Sequence, residues 1–413
     1  MADKILKGSV NHMTSLIIAN CPIYSENERI FLDKDIQALE PSCRNISVIV
    51  SNFEARYANH VHLITIETTK LLRRNDSLLA VILLQLISQV KLSRALLKIE
   101  RRADIVLFDI GEFRNIVPLL LAKVLGKKTM VIHRGGNKSL ETRLEYSSGF
   151  KKIVPPVSDA LLHLFYRLVD YILCISQSIV KFGQLEAYEN KILIYGGEFV
   201  DTKRFIPRSF PSERNTLVGY VGRHSPKKGI INLVRAIPRV LSELSEVNFL
   251  IAGEGEQTNL IANEVRSQGN QDRVKFVPWV PDQEYPMLLN ELKLLVLPSY
   301  EEGTPVTLKE AMACGTIVLA TPVGGIPDLV EDGKTGFILR NNSPSCIAET
   351  ILRALREPRL NEISTEARNV IERHETYAES VMNWKAIIEH VAAGRTTRPP
   401  AESSMLIDKG PDS

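Results

Sequence analysis

Short apolar runs alternate with longer amphipathic patterns along most of the 413-residue chain. Runs such as Leu16–Ala19 and Lys128–His133 have the length of buried strands. Stretches such as 26–39 and 230–244 repeat apolar residues every three or four positions, which is typical of helices with one buried face. Strands that alternate with helices predict an α/β protein with parallel, doubly wound sheets, in which ligands bind at the carboxyl ends of strands.

The alternation is interrupted by a polar, irregular segment that contains Pro207 and Pro211. A change of this kind is typical of a linker between domains. The chain is therefore predicted to divide into an N-terminal domain (1–200), a linker (201–215), a second domain (216–375), a C-terminal helix for which a return to the first domain is one arrangement (376–393) and a disordered tail (394–413).

Composition narrows the class of protein. Hydrophobic residues make up 44% of the chain and charged residues 24%, which is ordinary for globular domains. A formal net charge of +3 gives no support to nucleic-acid binding. The five cysteines are scattered without a Cys-x-x-Cys pair, which favours a reducing compartment, and the first residues lack a signal-peptide pattern. A cytoplasmic location is therefore expected.

The stretch from Ser299 to Gly315 carries the first candidate chemistry. It follows an apolar run, and Thr304 is predicted to cap a helix that Pro305 begins and Gly315 ends. A helix N-terminus at the carboxyl end of a strand suits a phosphate, and Glu302 and Glu310 offer oxygens to hydroxyl groups. Phosphates and hydroxyls together indicate a sugar nucleotide. An ordinary strand–loop–helix unit with two solvated glutamates is the alternative.

Two further strand ends point to the same chemistry. The run before Gly222 leads to Arg223 and Lys228, two cations within one loop. His133 ends another strand and precedes the dipeptide Gly135-Gly136, which permits close approach of a ligand. A lone histidine is often only packed or solvated, so this position alone leaves its role open.

These motifs occur in one order and resemble the donor domain of glycosyltransferase family 4, among the glycosyl transferases group 1, which has the GT-B fold. The motifs are Gly222-Arg223 with Lys228-Gly229, Gly253-Glu254-Gly255, the Glu-x7-Glu pair Glu302 and Glu310, Gly324–Asp328 and Asp332–Gly336. The resemblance is marked over residues 215–390 and fainter upstream. It implies two Rossmann-like doubly wound domains that face each other across a cleft.

The resemblance also implies roles for individual residues. Arg223 and Lys228 would hold the donor diphosphate, Glu310 the ribose hydroxyls and Glu302 the hydroxyls of the transferred sugar. Backbone groups of Gly303, Thr304 and Val306 would complete these contacts, and Trp279 and Val280 would meet the nucleobase. Core packing is the alternative for Trp279. His133 and Glu302 would lie at the reaction centre.

The implied activity is retaining transfer of a sugar from a UDP-, GDP- or ADP-sugar to a sugar, glycan or lipid-linked acceptor, in cell-surface polysaccharide or glycolipid synthesis. No metal or other cofactor is implied, because the two cations replace it. A sugar-nucleotide epimerase that does not hydrolyse its substrate, and a non-catalytic nucleotide-sugar-binding protein, are the alternatives. The glycine-free segment Asn20–Glu28 departs from the family pattern, in which a Gly-Gly loop follows the first strand.

Two other stretches have weaker signals. Asp33-Lys34-Asp35 has the Asp-x-Asp form that holds a metal in some sugar transferases, but it falls within a helix and is expected on a solvated face. Residues 78–102 are apolar and then basic, and with Lys127, Lys128, Lys151 and Lys152 they indicate an anionic membrane surface as a partner. A buried helix with a solvated basic end is the alternative for this stretch.

Overall fold

The computed structural model describes residues 14–20, 26–50, 57–66, 78–99, 101, 103–109, 115–135, 154–197 and 199–395. The predicted tail and the central part of the Asn20–Glu28 segment lie outside these residues, as does Gly136. Within the described part the chain forms two parallel sheets, each with its own hydrophobic core. This agrees with the predicted α/β class.

The first sheet contains seven strands in the order β3-β2-β1-β4-β5-β6-β7, with every pair parallel. Its strands are nearly continuous apolar runs because helices cover both faces. They are β1 (Thr14–Asn20), β2 (Cys43–Val50), β3 (Val61–Thr65), β4 (Ile105–Phe108), β5 (Lys128–His133), β6 (Tyr171–Cys174) and β7 (Ile192–Ile194).

The second sheet repeats this winding with six strands in the order β10-β9-β8-β11-β12-β13. The order reverses between β8 and β11, as it does between β1 and β4 in the first sheet. Such a switch point opens a crevice for ligands. The strands are β8 (Leu217–Val221), β9 (Asn248–Ala252), β10 (Val274–Val277), β11 (Leu294–Leu297), β12 (Ile317–Ala320) and β13 (Phe337–Ile338).

The helices connect the strands by crossovers. In the first half they are α1 (Glu26–Leu39), α2 (Leu78–Ile99), α3 (Ile116–Val124), α4 (Val154–Leu168) and α5 (Gln177–Phe182). In the second half they are α6 (Ile230–Glu243), α7 (Thr258–Ser267), α8 (Tyr285–Glu291), α9 (Val306–Ala313), α10 (Pro344–Leu355), α11 (Leu360–His374) and α12 (Tyr377–Ala392). The motif Gly324–Asp328 contains a short 3-10 turn over Ile326–Asp328.

Helix α11 ends at His374 and Thr376 begins α12, which lies within the C-terminal helix predicted over 376–393. The Thr376 side chain accepts a hydrogen bond from the Glu379 amide and so caps α12. Trp384, Ile387 and Val391 of α12 belong to the first core, whereas α11 packs in the second. The chain therefore returns to the first sheet at Glu375-Thr376.

Candidate active site

The loops after β8 and β11 meet at the switch point of the second sheet. Gly229 ends the first loop with a φ of 63°, and a Cβ atom there would lie 2.1 Å from the carbonyl oxygen of Pro298 in the second loop. Only glycine fits at this position. The Tyr300 amide donates a hydrogen bond of 2.8 Å to the Lys227 carbonyl. The two loops are thereby held together, and they carry Arg223, Lys228 and Glu302 into one place.

Lys228 and Glu302 form an ion pair within this site. The Lys228 Nζ atom lies 2.7 Å from each carboxylate oxygen of Glu302. Glu302 is only 7% exposed, and it also accepts a hydrogen bond of 2.6 Å from the Ser299 hydroxyl. Two residues that the sequence assigned to different parts of a donor, its phosphate and its sugar, thus contact each other.

Arg223 lies in the same loop and is exposed. In the part of the chain that the structure describes, its guanidinium makes no hydrogen bond or ion pair, although its carbonyl accepts a hydrogen bond from the Tyr220 hydroxyl. No carboxylate among the described residues therefore neutralises its charge. An uncompensated arginine at a strand end attracts an anion, and its planar donors match a phosphate.

The start of α9 differs from the prediction. The N-cap is Pro305 and the helix begins at Val306, so Thr304 is not the cap. Proline fixes the extended backbone before the helix but offers no side-chain oxygen, and among the described residues the buried Thr304 hydroxyl has no hydrogen-bond partner. The first-turn amides, including that of Val306, point out of the helix without an intrahelical acceptor. Thr304 and Val306 therefore place polar groups near Glu302, whereas the Gly303 carbonyl accepts a hydrogen bond of 2.8 Å from the Gly325 amide.

Glu310 lies one helical turn further along α9 and is partly buried. Burial raises the pKa of the Glu310 carboxyl to about 7, although the cations Lys34, Arg204 and Lys309 and a hydrogen bond from Tyr285 pull it downwards. These neighbours come from four different places in the chain: α1 (Lys34), the segment after β7 (Arg204), α8 (Tyr285) and α9 itself (Lys309). Sequence reasoning found Glu310 but none of these neighbours, since no local pattern links them.

Trp279 and Val280 follow β10 at the same carboxyl edge of the second sheet. The Trp279 side chain is 73% exposed, so the core-packing alternative is wrong. Val280 is partly buried and packs against the second core. A large aromatic ring that is exposed at a strand end can stack on a planar ligand.

His133 is placed differently from the residues above. It ends β5, but its side chain is fully buried, with Nδ1 2.7 Å from the Tyr166 hydroxyl of α4. A Cβ atom added to Gly183 would lie 2.7 Å from Nε2. The ring therefore packs between α4 and the end of α5, and in this conformation it does not reach the crevice. Its predicted role at the reaction centre stays a prediction.

Arg134, the next residue, lies instead between the two sheets. Its guanidinium pairs with Asp35 of α1 and with Asp109 at the end of β4. Its carbonyl oxygen would lie 2.2 Å from a Cβ atom at Gly303. The carboxyl edges of the two sheets thus touch at Arg134 and Gly303. Sequence reasoning missed this cluster, although Asp109 and Arg134 both follow strand ends, which is the signal that identified His133.

The expectation of a solvated face for Asp33-Lys34-Asp35 is wrong. Asp35 is buried against Arg134, Asp33 accepts a hydrogen bond from Tyr57, and Lys34 donates one of 2.9 Å to the Phe199 carbonyl. The helix turns this side towards Tyr57, Arg134 and Phe199 instead of solvent. Among the described residues, no group of three His, Cys, Asp or Glu side chains is arranged to hold a metal ion.

Two doubly wound domains, with cations and carboxylates at the switch point of the second sheet and an exposed tryptophan at the same carboxyl edge, are typical of the GT-B fold of glycosyltransferases. Residues 201–371 match the model of the family described as glycosyl transferases group 1. The resemblance found in the sequence is confirmed at this level.

Curated relatives agree with this class. A protein of Methanocaldococcus jannaschii, named as an uncharacterized glycosyltransferase, is 25% identical over 70% of this chain and 75% of its own length. The 2-deoxystreptamine glucosyltransferase of Streptomyces kanamyceticus is 31% identical over 38% of this chain and 40% of its own. Glycosyl transfer is the activity that these names support.

Solved structures share the fold. HepE from Anabaena, solved with UDP and glucose, superimposes with a TM-score of 0.69 at 16% identity and covers 92% of this chain and all of its own. Sucrose-phosphate synthase from Thermosynechococcus elongatus gives a TM-score of 0.74 at 15% identity, with the same coverage. The predicted GT-B fold is confirmed.

Proposed function

We propose that this protein transfers a sugar from a nucleotide-sugar donor to a hydroxyl acceptor with retention of anomeric configuration. The observation that carries the proposal is the meeting of Arg223, Lys228 and Glu302 at the switch point between β8 and β11. The family match of residues 201–371 and the glycosyltransferase names of the relatives support it. HepE, which shares the fold, was solved with UDP and glucose.

Donor binding would rearrange the Lys228–Glu302 pair. A diphosphate placed beside Arg223 would draw the Lys228 ammonium, and Glu302 would then accept hydrogen bonds from sugar hydroxyls while Ser299 holds its carboxylate in place. The pair keeps both charges compensated before the donor arrives. As the bond to the leaving diphosphate breaks, negative charge grows beside the two cations, so they stabilise the transition state more than the ground state.

The two cations would make a metal ion unnecessary, and the leaving phosphate would accept the proton of the acceptor hydroxyl. His133 would act at the reaction centre only after its ring leaves the pocket between α4 and α5. The acceptor would bind the first domain, across the contact between Arg134 and Gly303. Buried free thiols at Cys43, Cys174 and Cys314 fit a reducing, cytoplasmic setting.

The function is tested by adding UDP-, GDP- and ADP-sugars to the protein and measuring its unfolding temperature. A ligand that binds only the folded state raises this temperature. At a hundred times its dissociation constant, such a ligand adds about 2.7 kcal/mol to the free energy of unfolding. We expect one nucleotide series to do so. Lys228→Gln should weaken the binding of that nucleotide roughly 10- to 100-fold, because a hydrogen bond to a charged group is lost.

Lys227→Gln is the matched control, since Lys227 pairs with Glu301 at 2.7 Å in the same loop. It should bind the nucleotide as the wild type does. Release of the nucleoside diphosphate only with an acceptor present identifies transfer, whereas isomerised donor without an acceptor identifies an epimerase. Failure of all three nucleotide series to bind would refute the proposal.

Trp279→Ala is expected to weaken nucleotide binding about ten-fold, because a base stacked on an aromatic ring loses roughly 1–3 kcal/mol when the ring is removed. Stability should stay within about 0.5 kcal/mol, since the side chain is 73% exposed. Titration calorimetry with the nucleotide measures the loss. Phe210→Ala removes another exposed aromatic ring, outside the crevice, and serves as the control. Equal affinities for both variants would exclude Trp279 from the base site.

A further inference from the structure

Three helices of the first domain lie side by side on one face of its sheet. The chain moves from β3 to β4, β5 and β6 in one direction, and right-handed crossovers put the connecting helices α2, α3 and α4 on the same face. Contacts of α3 with both α2 and α4 agree with this order. The inner side of α2 is buried in the core through Leu92 and Leu96, so this helix lies flat on the sheet.

The outer sides of these helices expose large apolar side chains. On α2 they form one stripe at helical spacing. Val124 at the end of α3 is the most exposed large apolar residue of those described, at 85%. The whole set is Leu83, Leu86, Val90, Leu97, Val117, Leu120, Val124, Leu161 and Leu164. A patch that spans three neighbouring helices, rather than scattered single residues, indicates an interaction surface.

The charges on the same three helices are almost all positive. Helices α2 and α3 contain no acidic residue, and Arg94 and Lys98 of α2 are exposed. Lys123 of α3 is paired with Asp170 at 2.7 Å, which leaves it partly neutralised. Helix α4 contributes Arg167 and one acidic residue, Asp159. This face therefore combines exposed apolar groups with a net positive charge.

Apolar and basic residues are interleaved along these helices. Leu97 of α2 is 50% exposed and lies between Arg94 and Lys98 in the sequence. Val124 ends α3 directly after Lys123. A face that mixes exposed apolar groups with cations suits a surface with an apolar interior and an anionic border.

We propose that the outer face of α2, α3 and α4 docks on an anionic lipid membrane. Within the described residues no helix is long and apolar enough to cross a bilayer, so the contact would be peripheral. Charge complementarity selects the occupant, because a second copy of the chain would bring Arg94 and Lys98 against like charges, whereas anionic head groups neutralise them. Together with the proposed function, this places the acceptor on a lipid.

The proposal is tested by flotation of the full chain with vesicles of phosphatidylcholine alone or mixed with phosphatidylglycerol. We expect binding to the anionic vesicles at low salt and loss of binding as salt rises. Arg94→Gln with Lys98→Gln should weaken binding about 25-fold, from about five-fold for each cation near a charged surface. Leu83→Ser with Leu86→Ser should weaken it about ten-fold. Leu260→Ser with Arg266→Gln, on α7 of the second domain, should bind as the wild type does.

Three outcomes would overturn the proposal: no flotation of the wild type at low salt, variants that float as well as the wild type, or a dimer that Leu83→Ser with Leu86→Ser dissociates while no vesicles bind. All substituted side chains are exposed, so unfolding temperatures should be unchanged. Nucleotide binding by the same variants, measured by thermal shift, should equal that of the wild type. Failure of membrane docking is thereby separated from failure of the proposed donor chemistry.

Discussion

Lys309→Met is expected to lower the free energy of unfolding by about 3–5 kcal/mol, because it leaves the Glu375 carboxylate buried without its cation. Lys309 of α9 is 0% exposed and Glu375 is 2% exposed, and their charged atoms lie 2.9 Å apart. Urea unfolding measures the loss. Lys385→Met, on the exposed side of α12, is the matched control and should change stability by less than about 0.5 kcal/mol.

The position of this pair gives the loss a functional consequence. Glu375 lies where the chain passes from the second core to the first, and its carbonyl accepts a hydrogen bond of 2.7 Å from the Val200 amide in the other crossing segment. Through Glu375, Lys309 therefore connects α9, which carries Glu310, to the two segments in which the chain passes between the domains. We expect weaker donor binding in Lys309→Met as α9 loses this anchor.

The double variant Lys309→Met with Glu375→Leu provides the internal check. Replacing both partners of a buried pair with apolar groups is often neutral, so the double variant should recover most of the lost stability. If it is instead destabilised by the sum of the single changes, the buried charges are not coupled and the explanation fails.

Glu310→Gln is expected to be more stable than the wild type at pH 8 but equal to it at pH 4. Burial raises the pKa of Glu310 to about 7, from 4.5 in the absence of folded structure. Between these values the unfolded chain is ionised and the folded chain is protonated, so folding becomes less favourable as the pH rises from 4.5 to 7. Above pH 7 the full cost is present, about 3 kcal/mol from the size of the shift.

Denaturant unfolding at the two pH values measures this difference, with Glu366→Gln on the exposed face of α11 as the control. A stability difference between Glu310→Gln and the wild type that does not change with pH would contradict the assignment. The nucleotide affinity of the wild type should change with pH in the opposite direction from its stability. The ionised carboxylate is the stronger acceptor for ribose hydroxyls, so wild-type affinity should rise through pH 7, whereas that of Glu310→Gln should be weak and flat.

Strand and helix positions were accessible from the sequence because they depend on local periodicity. The strand Lys128–His133 has the predicted bounds, and the apolar runs before Gly222 and Ser299 form the strands Leu217–Val221 and Leu294–Leu297. An error occurred where a single residue decides the local backbone: Thr304 was placed as a cap, although Pro305 takes that position.

For the site, too, features that depend on nearby residues were predicted, and contacts between distant residues were not. Arg223, Lys228 and Glu302 were identified because each lies in a loop just after a predicted strand, and parallel winding brings such loops to one edge. The pairing of Lys228 with Glu302 was not predicted, since their residues are 74 positions apart. The neighbours of Glu310 were not predicted either, because one of them, Lys34, lies on a helix of the other domain.

The sequence by itself therefore determined the fold class, the order of the elements and the strand ends that carry charged groups, since these depend on residues close together in the chain. Only the tertiary structure decided which of those groups are exposed and which are paired. It buried His133, turned Lys34 and Asp35 away from solvent and left Trp279 and the outer face of α2 uncovered. Burial depends on packing between distant segments, and a local pattern does not contain that information.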